Sequence, residues 1–206
     1  MSLRPLAVAV LIALAIAGNL PANESSFEPR VGVLQPLGDA ADQWLPGYSL
    51  GLVYRLPTRS DVSFQTVALM VSRWEPNARA MLKVGGRSFE IEKNQGWRAL
   101  GELTVTQNRR LLDLPRLPGA LFSDVGAGLL YLRQSELEIK GYAPVGDMAL
   151  TRRIYETDQT RLGMLLSCGV ALEIWERVKP RLGFKYAITK DEGFGVVTLE
   201  LGLLAR

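Results

Sequence analysis

The chain has 206 residues, with 24 Lys and Arg against 21 Asp and Glu, no histidine and one cysteine. That length suits one sizeable domain or one barrel, and charge so nearly balanced gives no footprint for nucleic acid. The lack of histidine removes the general base of a Ser-His-Asp hydrolase, including a lipid A deacylase of that type, and any His-based metal site.

The chain opens Met1-Ser2-Leu3-Arg4, then runs from Pro5 to Ala17 in Ala, Val, Leu and Ile and closes on Ala15-Ile16-Ala17. One positive charge, an apolar run short of the ~20 residues a spanning helix needs, and an A-x-A site predict a secretory signal peptide over residues 1–17. An uncleaved anchor is the rival, and a second cleavage point follows Ala22. No cysteine lies near enough to make a lipoprotein. Removing residues 1–17 takes away one Lys or Arg and leaves the charge nearly balanced.

Residues 18–29 read as an unstructured lead-in, Asn19 to Glu28 being polar and holding Pro21. Arg30 to Leu37 is a first strand of weak alternation ending near Pro36, and Gly38 to Trp44 is a small acidic loop. Tyr48, Leu50, Leu52, Tyr54 and Leu56 then alternate with Ser49, Gly51, Val53 and Arg55. Successive side chains of a strand point to opposite faces, so one face is apolar, with aromatic residues near both ends as a membrane interface requires. A third strand covers 62–74, with Phe64, Ala68 and Met70 on one side and Gln65 and Arg73 on the other.

Glu75 to Gly96 reads as a long loop carrying a small hairpin, 80–84 against 88–92, turned by Gly85-Gly86-Arg87. Strands follow at 99–112 and 120–132, separated by the turn Pro115-Arg116-Leu117-Pro118-Gly119. Gln134 to Gln159, with Arg152-Arg153, reads as the largest exposed loop. The last strands are predicted at 160–175, 179–189 and 194–205. In 160–175, Leu162, Met164, Leu166, Cys168 and Val170 share one face, while Arg161, Gly163, Ser167, Gly169 and Glu173 share the other. Cys168 therefore reads as an inert small hydrophobe that makes no internal disulfide.

The count is eight. The first, third, fifth and seventh connections then lie at one end and include the two longest segments, while the second, fourth and sixth are all short. Long connections at one end, and strands with one oily face and one polar face, predict an all-β, eight-stranded antiparallel up-and-down transmembrane β-barrel over residues 30–206.

On Asp124-Val125-Gly126-Ala127-Gly128-Leu129 and the last three strands, closing on Gly202-Leu203, the chain resembles the small eight-stranded outer-membrane β-barrel superfamily of Gram-negative bacteria. The resemblance implies a bacterial outer-membrane location, contact with outer-membrane lipid, insertion by the barrel assembly machinery, and a group of mixed activities. Such barrels usually finish on an aromatic residue, whereas this chain reads Leu203-Leu204-Ala205-Arg206.

The expected lumen charges are Arg55, Glu102, Asp124, Arg161, Glu173, Arg181, Lys185 and Glu200. An eight-stranded barrel is just wide enough for side chains to fill, so these charges pair as a structural cluster in preference to lining a channel. Arg152 and Arg153 are candidates for contact with lipopolysaccharide phosphates, since guanidinium forks bind phosphate bidentately. No catalytic set, metal site or cofactor site is assigned: Gly126-Ala127-Gly128 is too short for a dinucleotide loop and serves to let a crowded lumen close. The expectation is a monomeric structural or surface-interaction barrel. The open alternatives are a narrow solute pore, a lipid-modifying enzyme using a carboxylate pair such as Glu173 with Glu200, and a soluble periplasmic lipocalin-like barrel whose Leu-rich faces turn inward.

Overall fold

The computed structural model describes residues 26–56, 60, 62–77, 90–114, 119–142, 149–155, 158–174 and 178–203. Residues 1–17, the proposed Gly85-Gly86-Arg87 turn and the final Leu204-Ala205-Arg206 lie outside them. The elements are β1 (Ser26–Pro36), α1 (Asp39–Gln43), β2 (Gly47–Arg55), β3 (Ser63–Trp74), β4 (Glu90–Gln95), β5 (Arg98–Asp113), β6 (Gly119–Gln134), β7 (Leu137–Tyr142), β8 (Ala149–Tyr155), β9 (Gln159–Ile174), β10 (Val178–Thr189) and β11 (Gly193–Leu203). Eight of them close a barrel in the order β1-β11-β10-β9-β6-β5-β3-β2, each antiparallel to its neighbours. This is the expected meander, and its strands follow the expected spans within a few residues. β1 differs most, starting at Ser26, so the end of the polar lead-in belongs to the barrel.

The alternation sets the facing. Leu162 (75% exposed), Val125 (66%), Leu129 (65%) and Leu199 (62%) head a ring of outward apolar side chains that includes Leu103, Met164, Leu166 and Leu182. Along β6 the outward apolar residues run from Leu121 to Tyr131, about 34 Å of strand at ~3.4 Å per residue, and a tilt of ~40° leaves a band ~25 Å tall. Tyr48, Tyr131 and Tyr186 are exposed near the end with the long connections. Phe27 and Tyr54 stack at 4.8 Å between ring centroids near the other end. The Leu-rich faces of the last three strands therefore point away from the lumen, the opposite of the lipocalin-like alternative.

Two stretches expected as loops are ordered otherwise. Within 38–44, α1 begins after Gly38, whose φ of 60° is one that glycine adopts freely, and Asp39 and Asp42 occupy its first turn, where acidic groups suit the helix dipole. The segment Gln134–Gln159 contains β7 and β8, which join β4 in a three-stranded sheet. That sheet prolongs the barrel: the β5–β6 pairing ends at Arg98 opposite Gln134, and the β4–β7 pairing resumes with Gln95 opposite Glu138. The break falls at Gly96, at φ 144°, where an added Cβ would sit 2.5 Å from the Leu137 side chain.

The same bend turns β7 inward. Leu137 and Ile139 are fully buried in an apolar cluster with Leu34, Trp44, Trp74, Leu100, Leu130, Leu132, Leu165, Phe194 and Val196. Every barrel residue in that cluster faces the lumen near the long connections. That end of the lumen is apolar, a departure from the polar interior expected along its whole length.

Candidate functional site: the lumen and its rim

Below the apolar cluster, toward the short turns, the inward positions become ionic. Lys185 on β10 holds Glu102 of β5 at 2.9 Å and Glu200 of β11 at 3.1 Å. Four residues away on the same face of β10, Arg181 donates from Nε and Nη2 to the two carboxylate oxygens of Asp124 at 2.8 and 2.6 Å and reaches Glu200 at 3.3 Å. Arg30 of β1 meets Glu200 at 3.0 Å and also pairs with Glu28, which lies 3.6 Å from Lys179. Four anions and four cations thus form one connected network with no net charge. Removing a charge from water costs several kcal/mol per ion, and only such mutual pairing offsets it.

Glycine makes room for these head groups. An added Cβ at Gly169 would lie 2.8 Å from Arg181 Nη2, and one at Gly32 would lie 2.9 Å from Glu200 Cγ. At Gly126 it would strike Thr106 Oγ1 at 2.6 Å and Ser167 Oγ at 2.9 Å. The glycines of the Gly126-Ala127-Gly128 stretch thus let crowded strands close. The cavity left among Thr66, Thr104, Asn108, Asp124 and Lys185 is about 20 Å³, roughly the room a single water needs. Toward the short turns Phe64 and Phe122 meet edge to face at 5.4 Å, with the Arg55 guanidinium 3.8 Å from the Phe64 ring and Lys179 5.3 Å from it. The lumen is filled in three tiers: apolar; ionic, with Val53, Ala68 and Met70 along one side; then aromatic with cations.

Of the expected lumen charges, Glu102, Asp124, Arg181, Lys185 and Glu200 come together. Arg55 and Glu173 line a small cavity nearer the short turns, which meets the network at Lys179. Arg161 sits at the opposite rim, 2.9 Å from Glu192 and 3.3 Å from Asp191. Glu200 is held by Arg30, Arg181 and Lys185, whereas Glu173 lines the cavity nearer the short turns. Glu28, Arg30 and Lys179 complete the network without having been expected there. Lys179 shares the parity of Arg181 and Lys185, a signal that Pro180 obscures, and Glu28 falls before the expected start of β1. Arg152 and Arg153 lie on β8 opposite Ile139 and Glu138, and their side chains are outside the described residues.

At the rim of the long connections, an open groove of about 490 Å³ is lined by Leu37, Gln43, Arg98, Tyr186, Glu192 and Phe194 among others. Arg98 lies 4.3 Å from the Phe194 ring and pairs with Glu192. On the outer face of the same rim, Arg73 and Arg133 flank Trp97, at 5.9 and 5.6 Å from its ring centroid.

No protein-family model and no curated protein matches the sequence. Among solved structures, the chain is similar to the attachment invasion locus protein Ail of Yersinia pestis, with TM-score 0.47 and 13% identity over 88% of this chain and 99% of that one. It is similar to the N-terminal β-barrel domain of OprF from Pseudomonas aeruginosa, with TM-score 0.45 and 13% identity over 88% of this chain and 98% of that one. It is also similar to the neisserial surface protein NspA, with TM-score 0.47 and 10% identity over 88% of this chain and 96% of that one. These are distant likenesses, and they concern the path of the strands alone.

Proposed function

We propose that this chain is a bacterial outer-membrane β-barrel of structural or surface-interaction type. The observation that carries the reading is the closed ring of exposed leucine, valine, methionine and tyrosine around strands whose mid-strand charges point into the lumen and whose outward charges stand at the rims. A closed barrel leaves no sheet edge, so its backbone is fully paired in hydrocarbon, and exposed apolar area on this scale is costly in water. In this reading residues 1–17 direct export, the assembly machinery inserts the barrel as a monomer, and the long connections with the small sheet face outward. Recognition resides there, on loops held by a rigid scaffold.

The filled lumen speaks against the solute pore. Planar bilayers containing the protein show no steady single-channel conductance; open-channel currents from the wild type would favour the pore. The membrane reading is tested by cell fractionation with gel electrophoresis of unheated samples. The protein sediments with the envelope and migrates faster unheated than boiled, whereas recovery in the aqueous fraction without detergent overturns the reading.

A further inference from the structure

We propose that Arg73 and Arg133, with Trp97 between them, bind the phosphate headgroup of a membrane lipid at the rim of the long connections. This rests on the membrane placement above. Arg73, Ala99 and Arg133 stand in one row across β3, β5 and β6, since Ala99 pairs with both arginines. Strands spaced ~4.8 Å apart put the two arginine backbones roughly 10 Å from each other. Alanine leaves a shallow gap between the two long side chains. All three positions share the outward parity of Leu69, Leu103 and Leu129, and Tyr131 lies two residues below Arg133 on the same face of β6. The pair thus stands just above the apolar band, where lipid headgroups lie.

Both guanidiniums approach one indole within 6 Å, so two like charges converge where, among the described residues, a single carboxylate pairs with them. That carboxylate is Asp158, 3.3 Å from Arg133, which also accepts the Glu136 N–H at 3.0 Å. It is a solvent-exposed partner, and such pairs contribute little. Arg73 has no ion pair among the described residues, and its Nε is buried without a hydrogen-bond partner. The backbone of Trp97 is pinned where it stands: its main-chain N–H donates to Ser135 Oγ at 2.9 Å, and the Ser135 main-chain N–H donates to the Trp97 carbonyl at 3.0 Å. A phosphate seated over Ala99 would accept from the terminal N–H groups of both guanidiniums and neutralise their repulsion.

The test is native mass spectrometry of the delipidated full chain in detergent, titrated with phosphatidic acid, with the matching diacylglycerol and with inorganic phosphate. Phosphatidic acid binds at least tenfold better than diacylglycerol, and inorganic phosphate at the same concentration does not displace it. The double variant Arg73→Gln/Arg133→Gln loses that preference while keeping its heat-modifiable mobility, and Asp158→Asn raises occupancy two- to threefold by releasing Arg133. Equal binding of phosphatidic acid to wild type and double variant overturns the site, and so does equal binding of the two lipids. Displacement by inorganic phosphate overturns the assignment to a lipid. A wild-type protein that never shows heat-modifiable mobility fails the membrane reading itself, a separate result.

Discussion

In the middle of the barrel the inward positions carry Glu102, Asp124, Arg181, Lys185 and Glu200, while toward the long connections they carry Leu34, Trp74, Leu100, Leu130, Leu132 and Phe194. Both regions are buried, and both belong to the same strands with the same alternation. They differ in what can reach them. At the rim, Leu137, Ile139 and Trp44 fold in from the connections and close-pack an apolar layer. In the middle, among the described residues, only strand side chains enter: long charged groups pair across the lumen, beside an apolar strip of Val53, Ala68 and Met70 on β2 and β3. The comparison teaches that inward parity specifies a filled interior, and that the filling is apolar all round only where chain from the connections folds in to meet it.

The largest effect comes from breaking the ionic tier on one side only. Arg181→Met strands Asp124 as a buried anion, while Glu200 keeps Lys185 and Arg30; leaving such a charge uncompensated costs about 3–5 kcal/mol, read as a lowered urea midpoint of the barrel refolded in bilayers. The combined change Arg181→Met/Asp124→Leu recovers most of that loss, because removing both ions together with retained volume is often neutral. A double variant as unstable as the single one would contradict the pairing. In the apolar tier Leu132→Ala leaves a cavity and costs about 2–5 kcal/mol, with no dependence on salt. On the outer belt Leu166→Arg, near the middle of β9, costs about 2–4 kcal/mol in a bilayer, whereas a surface leucine in water would tolerate arginine. The smallest effect is at the rim, where Asp158→Asn removes an exposed ion pair and shifts stability by less than about 1 kcal/mol.

Most of the barrel was legible because a strand with one lipid-facing side leaves a period of two that few other structures produce. Leu199 and Leu201 against Thr198 and Glu200 show facing and strand at once. Five of the network charges were visible for the same reason, lying mid-strand on the face opposite leucine. Arg55, Arg161 and Glu173 share that parity but sit at strand ends, where parity no longer determines which neighbours a side chain meets. Glu28 and Arg30 were obscured by Pro29 and by weak alternation, so the start of β1 was set too late. The apolar tier was least legible. Phe64, Met70 and Trp74 share a face of β3 whose other face carries Val67, Leu69 and Val71, and two apolar faces give no sign of which is inside. The Leu137, Ile139 alternation with Glu138 and Lys140 was present too, but the charge around it resembles a solvated loop.

Cys168 offers the most direct test that the oily faces meet lipid. It is the one cysteine of the chain, it is exposed, and it sits on the outer face between Val125 of β6 and Phe184 of β10. A nitroxide placed on Cys168 of the protein reconstituted in phospholipid bilayers is predicted to collide readily with dissolved oxygen and rarely with a water-soluble nickel chelate. A label that meets the nickel chelate as freely as one on an aqueous loop would contradict the account.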